Sequence, residues 1–324
     1  ALRGMDVVVF EELYKGGEKL AEHKDINDAS QTIHFPDIAT QAVDRETDSN
    51  LSKADEEIVI VDTVSYENLR VGRKYTVTGI LMDKETKKAA LDQKGNKIEA
   101  QTEFTAETAN GTVEVIFRFD GRGMGGRTLV AFETLERDHR EYAVHKDIGD
   151  EAQTIYIPKI GTVIHDDDTK QHLSRADADV TLVDVVKYEN LVPGRGYVLK
   201  GMLIDTKTKK PALDAEGNEI TAQASFTPDQ KNGSVEMVFK FDGSKLAGET
   251  LTAYEELFYN GKSAAEHKDA EDADQTVYFP KIGTEASDEK TDLRMSYADE
   301  EVTIKDVVRY ENLIPGKKYT MQGA

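Results

Sequence analysis

The sequence predicts an all-β chain built from tandem antiparallel sandwich domains, and three observations carry that expectation. A repeat of fixed length runs through the 324 residues: Gln31, Gln153 and Gln275 recur at an interval of 122, with no insertion or deletion. His23, His145 and His267 keep the same interval, as do Thr40, Thr162 and Thr284 and the Tyr-Glu-Asn-Leu runs that open at Tyr66, Tyr188 and Tyr310. Within a repeat, apolar residues alternate with polar ones at a period of two, and helical periodicity is nowhere sustained.

The strands can be justified in chain order. Each repeat opens on Pro-Asp-Ile-Ala-Thr or Pro-Lys-Ile-Gly-Thr, and a second strand follows that ends in Tyr-Glu-Asn, as in the run Glu301 to Asn312. Tyr197 to Thr206 and Glu219 to Thr227 supply the third and fourth. Ser234 to Phe241 is the fifth, with Val235, Met237, Phe239 and Phe241 on one parity, as a half-buried strand requires. The pairs Asn110-Gly111 and Asn232-Gly233 precede such strands and predict hairpin turns there; their match to glycosylation sequons is the weaker reading. Thr250 to Phe258 and Gln275 to Pro280 complete about seven strands per repeat, the pattern of an immunoglobulin-like antiparallel β-sandwich.

The joints contain one proline, one glycine and no flexible Gly/Ser tract, as in Gln153 to Thr162, so consecutive domains are expected to couple closely into a semi-rigid rod. Residues 36–157 and 158–279 form two complete domains, residues 1–35 the end of a truncated repeat, and residues 280–324 the start of a further one. Ala1 aligns with Gly123 and Ala324 with Ile80, so the chain is expected to be an excerpt from a longer array.

Composition narrows the function. A formal net charge of −21 argues against nucleic acid or an anionic membrane surface as a partner. No apolar run approaches a membrane span, and no signal-peptide pattern opens the chain. The lack of cysteine removes disulfides, thiol catalysis and cysteine-ligated zinc together. Asp166 to Asp168 could suggest calcium, but neighbouring copies lack the run and its spacing fits no loop motif, so neither metal nor cofactor is expected.

The same parity test turns up polar residues on the apolar face. Asp62 shares its parity with Ile58, Ile60 and Val64; Asp184 and Asp306 stand in equivalent company. Glu133 lies with Leu129, Ala131 and Leu135, and Glu11 and Glu255 repeat the arrangement. Thr40 falls with Ile38 and Ala42, and Gln153 with Ile155 and Ile157. Burying polar groups is costly unless they bond to one another, so the four are expected to converge on one site in each repeat.

Two core carboxyls near a Thr, a Gln and a His make a distinctive set, since desolvation and like charge should hold at least one carboxyl protonated. A Thr hydroxyl becomes a nucleophile when a neighbouring base takes its proton, and a Gln carboxamide becomes an electrophile when its oxygen receives a strong hydrogen bond. The product would be a Thr-Gln ester, protected from water by a packed core.

The runs His-Lys-Asp-x-x-Asp-x-x-Gln-Thr, the Val-Val-Phe-Glu-Glu, Val-Ala-Phe-Glu-Thr and Thr-Ala-Tyr-Glu-Glu strands and the Pro-x-Ile-x-Thr starts resemble the VaFE-repeat, Thr-Gln ester-bond cross-linked immunoglobulin-like domains of Gram-positive cell-surface adhesins. The resemblance covers essentially the whole chain. It implies that an autocatalytic ester joins a first-strand Thr to a last-strand Gln in a wall-anchored, extracellular shaft. The first complete domain would join Thr40 to Gln153, with His145 as acid-base and Glu133 and Asp62 as the carboxyl pair. The second would join Thr162 to Gln275, with His267, Glu255 and Asp184. Gln31, His23 and Glu11, and Thr284 with Asp306, would be half-sites. The choice of Asp stays open, because Asp44, Asp166 and Asp288 also repeat, four residues after the Thr. Asp25, Asp28 and their copies read as loop-capping residues, and His34, His139, His165 and His172, which do not recur, as surface residues.

On this reading the protein is a structural stalk and not a turnover enzyme; its partners are neighbouring repeats, and a separate tip domain would bind the host ligand. The alternative is a ligand-binding repeat module with a buried polar network and no cross-link, which the absence of tryptophan and of an obvious variable loop disfavours. A glycosidase dyad is disfavoured too, because the carboxyls point inward and no extra loops form a cleft.

Overall fold

The computed structural model describes residues 2–298 and 300–323; Ala1, Asp299 and Ala324, which fall in the expected incomplete repeats, lie outside them. Among the described residues the helical elements are two 3-10 turns, and the strands pair in antiparallel ladders, with isolated parallel bridges from Leu51 to Tyr156 and from Leu173 to Tyr278. No helix there is long and apolar enough to cross a membrane. The chain forms two compact units. One holds residues Ala1–Lys159, Glu189–Val192 and Lys262–Ala265; the other holds Ile160–Tyr188, Pro193–Gly261 and Glu266–Ala324.

In the first unit, β1 (Met5–Val8) and β2 (Glu11–Lys15) are followed by β3 (Glu18–His23), which pairs with β2, and β4 (Thr32–Phe35), which pairs with β1. A sandwich follows. Its smaller sheet runs β10-β6-β5, from β5 (Asp37–Asp44), β6 (Ile58–Glu67) and β10 (Gly111–Phe119). Its larger sheet contains β7 (Lys74–Asp83), β8 (Lys88–Ala89), β9 (Glu99–Thr105), β11 (Thr128–Arg137), β12 (Arg140–His145) and β13 (Thr154–Tyr156). Alternation decides which residues meet between the sheets: Ile38, Ile58, Ile60, Val64 and Phe117 from one side, and Val77, Leu81, Leu129, Leu135 and Ile155 from the other, all buried. Each such side chain contributes roughly 1.5–3 kcal/mol when taken out of water.

A second sandwich, most of it in the second unit, repeats the design with β14 (Lys159–Asp166), β15 (Val180–Glu189), β16 (Tyr197–Asp205), β17 (Thr221–Phe226), β18 (Gly233–Phe241), β19 (Thr250–Tyr259), β20 (Lys262–His267) and β21 (Thr276–Tyr278). Its sheets run β14-β15-β18 and β17-β16-β19-β20, with β21 also on β19. Two further strands, β22 (Lys281–Asp288) and β23 (Ile304–Glu311), form a separate pair.

Two sequence expectations need correction. Asn110-Gly111 does not turn a hairpin, because β9 pairs with β7 in one sheet while β10 pairs with β6 in the other. The connection crosses between sheets, and Gly111 is required for another reason: a Cβ there would lie 2.5 Å from the Tyr66 hydroxyl oxygen, which covers it. Gly233 meets Tyr188 in the same way, at 2.4 Å. Each repeat also has more strands than seven. The unexpected ones include β12 and β20, whose short sequences show no clear alternation and lie at the sheet edge.

These edge strands matter for the site. The outer edge of β11 is shared, β12 covering Glu133–Arg137 and β13 covering Thr128–Val130. The segment between β12 and β13 must leave the sheet and return, and Gln153 lies at its returning end.

Candidate ester-forming site

Thr40 and Asp62 lie on the small sheet, where β5 and β6 pair Thr40 with Val64 and Ala42 with Asp62. Glu133 is on β11 of the facing sheet, directly opposite His145, the last residue of β12. On its other side Glu133 pairs with Gly79. A Cβ on Gly79 would sit 2.5 Å from Phe117 Cζ, so the bare backbone lets the opposite sheet approach beside the carboxyl.

Gln153 lies on neither sheet. It closes a 3-10 turn, Glu151–Gln153, one residue before β13, and is buried there. The turn is N-capped by Asp150, whose carboxylate accepts from the Ala152 N–H at 2.8 Å. Parity alone places Gln153 on the last strand; it lies instead in the turn just before that strand, which brings it to the same inward position.

The structure brings the side chains together. Thr40 Oγ1 donates to Glu133 Oε2 at 3.2 Å, and Gln153 Nε2 donates to the same oxygen at 2.5 Å. In the second unit Gln275 Nε2 donates to Glu255 Oε2 at 2.6 Å and to Thr162 Oγ1 at 3.0 Å, so hydroxyl and carboxamide touch directly. Asp62, Glu133 and Gln153 have no solvent exposure, nor do Asp184, Glu255 and Gln275. Thr40 and Thr162 are buried as well.

The electrostatics follow from that burial. Desolvation raises Glu133 to about 10, helped by the negative charge of Asp62. Desolvation also raises Asp62, to about 6, while the neighbouring Glu133 carboxyl and the His145 charge pull it back. Glu255 and Asp184 behave alike, at about 10 and about 6. Two buried carboxyls without a full countercharge resolve their repulsion by keeping one proton, and it stays on the Glu. Asp62 has two oxygens, and Glu133 and Gln153 one each, that are buried without a hydrogen-bond partner among the surrounding heavy atoms; the same four atoms recur in the second unit. A carboxylic O–H on the Glu is the donor this set of acceptors needs.

The repeated aspartates differ in their partners. Asp44 accepts from the Glu46 and Thr47 N–H groups and from the Ser52 hydroxyl, so its oxygens organise the turn after β5. Asp166 accepts from Thr169 N–H and the Ser174 hydroxyl, and Asp288 from Thr291 N–H and the Ser296 hydroxyl. Asp62 is the one that acts on Glu133.

Asp150 does more than cap a loop. His145 Nε2 lies 2.8 Å from Asp150 Oδ2, and His267 Nε2 lies 3.1 Å from Asp272 Oδ2. Asp150 therefore caps the turn with one oxygen and holds the imidazole with the other. The signal was present in the constant five-residue offset between His and Asp. His172, expected at the surface, is half-buried, with Nδ1 enclosed.

The half-sites are built in part. Gln31 Nε2 donates to Glu11 Oε2 at 2.6 Å, and His23 Nε2 is 2.7 Å from Asp28 Oδ2. Thr284 and Asp306 sit on β22 and β23, where Asp306 pairs with Ala286 as Asp62 does with Ala42. Among the described residues no group of three or more His, Cys, Asp or Glu side chains is arranged to hold a metal ion.

A model of the T-Q ester bond containing domain matches the chain four times, at residues 1–35, 36–157, 158–279 and 280–324. No curated protein matches significantly. Among solved structures, a bacterial adhesin from Mobiluncus mulieris containing intramolecular disulfide, isopeptide and ester bond cross-links is similar over 86% of this chain and 98% of its own, at 14% identity and a TM-score of 0.31. The C-terminal domain of the Streptococcus agalactiae AgI/II polypeptide BspA covers 72% of this chain and 98% of its own, at 7% identity and a TM-score of 0.33.

Proposed function

Because this chain belongs to the family of T-Q ester bond containing domains, we propose that each complete domain closes an intramolecular ester, Thr40 to Gln153 in the first and Thr162 to Gln275 in the second. The observation that carries the proposal is the 3.0 Å contact between Thr162 Oγ1 and the Gln275 carboxamide, buried beside Glu255.

The chemistry uses the groups present. The Thr oxygen attacks Cδ of the Gln as its proton passes to the imidazole held by Asp150 or Asp272. Rotation of the carboxamide presents Oε1 to the protonated Glu, whose O–H stabilises the negative charge that develops there. The C–N bond then breaks, the imidazolium returns the proton to the departing nitrogen, and ammonia leaves as the ester forms. Asp62 or Asp184 keeps the Glu proton in place by raising its pKa. Each domain reacts once, on itself, so the activity is self-cross-linking and not turnover.

The proposed role is a structural segment in the stalk of a cell-wall-anchored, extracellular adhesin, with neighbouring repeats as its partners and host binding left to a separate tip domain. The supporting features are the repetition and the presence in each complete domain of one buried Thr and Gln 113 residues apart. Intact mass under denaturing conditions tests the bond, since each ester loses ammonia, roughly 17 Da. A chain lighter than its sequence mass by about 34 Da is expected for two bonds. A well-folded chain of undiminished mass would rule the ester out.

A further inference from the structure

The Tyr-Glu-Asn-Leu run is the most closely repeated motif that the ester chemistry does not use. Its Asn has positive φ in every copy: 63° at Asn68, 62° at Asn190 and 58° at Asn312. Asn tolerates this left-handed conformation better than most residues, which places the motif at a sharp turn at the end of β6, β15 and β23.

The side chains at these turns reach back to one position of the chain. Asn68 Nδ2 donates to the Met5 carbonyl at 2.8 Å, Asn190 Nδ2 to the Arg127 carbonyl at 2.6 Å and Asn312 Nδ2 to the Glu249 carbonyl at 2.5 Å. The separation is 63 residues every time. The acceptor is a backbone carbonyl, so its own side chain is free to vary among Met, Arg and Glu. At Arg127 and Glu249 that carbonyl already accepts from Ile157 and Phe279 N–H, at 2.9 and 3.0 Å, and the Asn occupies its second lone pair.

The residue before each acceptor is glycine: Gly4, Gly126 and Gly248, with φ of 70°, 88° and 90°. A Cβ on these glycines would lie 3.0 Å from Glu67 Oε2, 3.1 Å from Glu189 Oε2 and 3.0 Å from Glu311 Oε2, respectively. The Glu of the motif therefore rests on the bare face of a glycine turn while the neighbouring Asn bonds the next carbonyl. Gly4 and Met5 belong to the opening segment and Glu67 and Asn68 to the following sandwich, both within the first unit; Gly248, Glu249, Glu311 and Asn312 make the corresponding contact within the second.

We propose that the Glu-Asn pair of each repeat is a docking tip, and that its partner is the glycine turn of the preceding repeat, read through backbone atoms. The surface fits any repeat that presents glycine in a left-handed conformation followed by a carbonyl with one lone pair open. Within each unit the repeat segments that meet in this way are thus joined by a non-covalent lock as well as by the chain, independently of whether the ester forms.

Hydrogen exchange on the full chain tests the lock, because β1 and β4 lie on the far side of the first such contact from the sandwich. Removing one hydrogen bond in Asn68→Gly, which keeps the left-handed backbone, should speed exchange of residues 4–8 and 32–35 about fivefold. Asn68→Asp, which keeps the shape but cannot donate, and Gly4→Ala, which places a methyl against Glu67, should do the same. In all three the strands at residues 58–67 and 111–119 should exchange as in the parent. Unchanged exchange at residues 4–8 and 32–35 in these variants would overturn the proposal. Equal acceleration in both regions for the Asn68 variants would also overturn it, since Asn68 would then serve its own domain, through its N–H to Asn110 Oδ1 at 2.9 Å.

Discussion

Thr162→Ala should uncouple the stability of the second domain from that of the first. The lost bond would close a loop of 113 residues, and chain entropy puts such a closure at about 5 kcal/mol at room temperature. An unfolding entropy of ~2.1 cal/mol/K per residue gives a 122-residue repeat about 0.26 kcal/mol/K, so its midpoint should fall by about 19 °C. Differential scanning calorimetry on the full chain should show one transition displaced by that amount and the other in place. Denatured mass should rise by roughly one ammonia, apart from the substitution itself. Thr162→Ser, which restores a nucleophile, should recover most of the midpoint together with the lower mass. A variant that regains the heavier mass with a midpoint shift under about 3 °C would refute the loop-closure reasoning.

Three further outcomes follow from the same geometry. Glu133→Gln removes the proton donor while keeping the shape, and it should leave the first domain without its ester, read as a mass higher by roughly 17 Da. Asp150→Asn should slow ester formation by at least about tenfold, followed as mass against time after refolding, because the imidazole loses the carboxylate that orients it. In the Thr162→Ala chain, stability should fall as pH rises, as measured by urea unfolding at pH 5, 7 and 9. The folded domain keeps the Glu255 proton up to about 10, whereas the unfolded chain releases it near 4.5, so the native state binds the extra proton between those values. The nominal slope is ~1.4 kcal/mol per pH unit, and Asp184, raised to about 6, steepens the acid end of the window. Stability that is flat or rising across this range would contradict a retained proton.

Much of the site could be read from parity alone. Placing Asp62 with Ile60 and Val64, or Glu133 with Ala131 and Leu135, needs only the period of a strand, and these residues are fully buried. Features that depend on pairing between distant strands could not be read in this way. Asn110-Gly111 has the local appearance of a hairpin turn, yet the sheet assignment of β9 and β10 depends on β7 and β6. The strand ending at His145 has almost no alternation of its own and is held in place by the edge of β11. Gln153 reaches its position through a turn whose cap, Asp150, resembles any loop aspartate until the imidazole is seen beside it.

The repeats also separate residue identity from chemical environment. Gln31 bonds Glu11 at 2.6 Å, nearly the geometry of Gln275 with Glu255, and His23 meets Asp28 as His267 meets Asp272. Yet Glu11 is exposed, whereas Glu255 is wholly enclosed. Burial and the neighbouring Asp184 are what hold a proton on Glu255, and both come from strands that lie far from the His-to-Gln motif in sequence. In the proposed reaction the motif therefore supplies the electrophile and the base, while the sandwich supplies the acid. A reactive domain needs the Thr strand, the Asp strand and the Glu strand folded over one another before the carboxamide can be attacked, which makes cross-linking a consequence of completed folding.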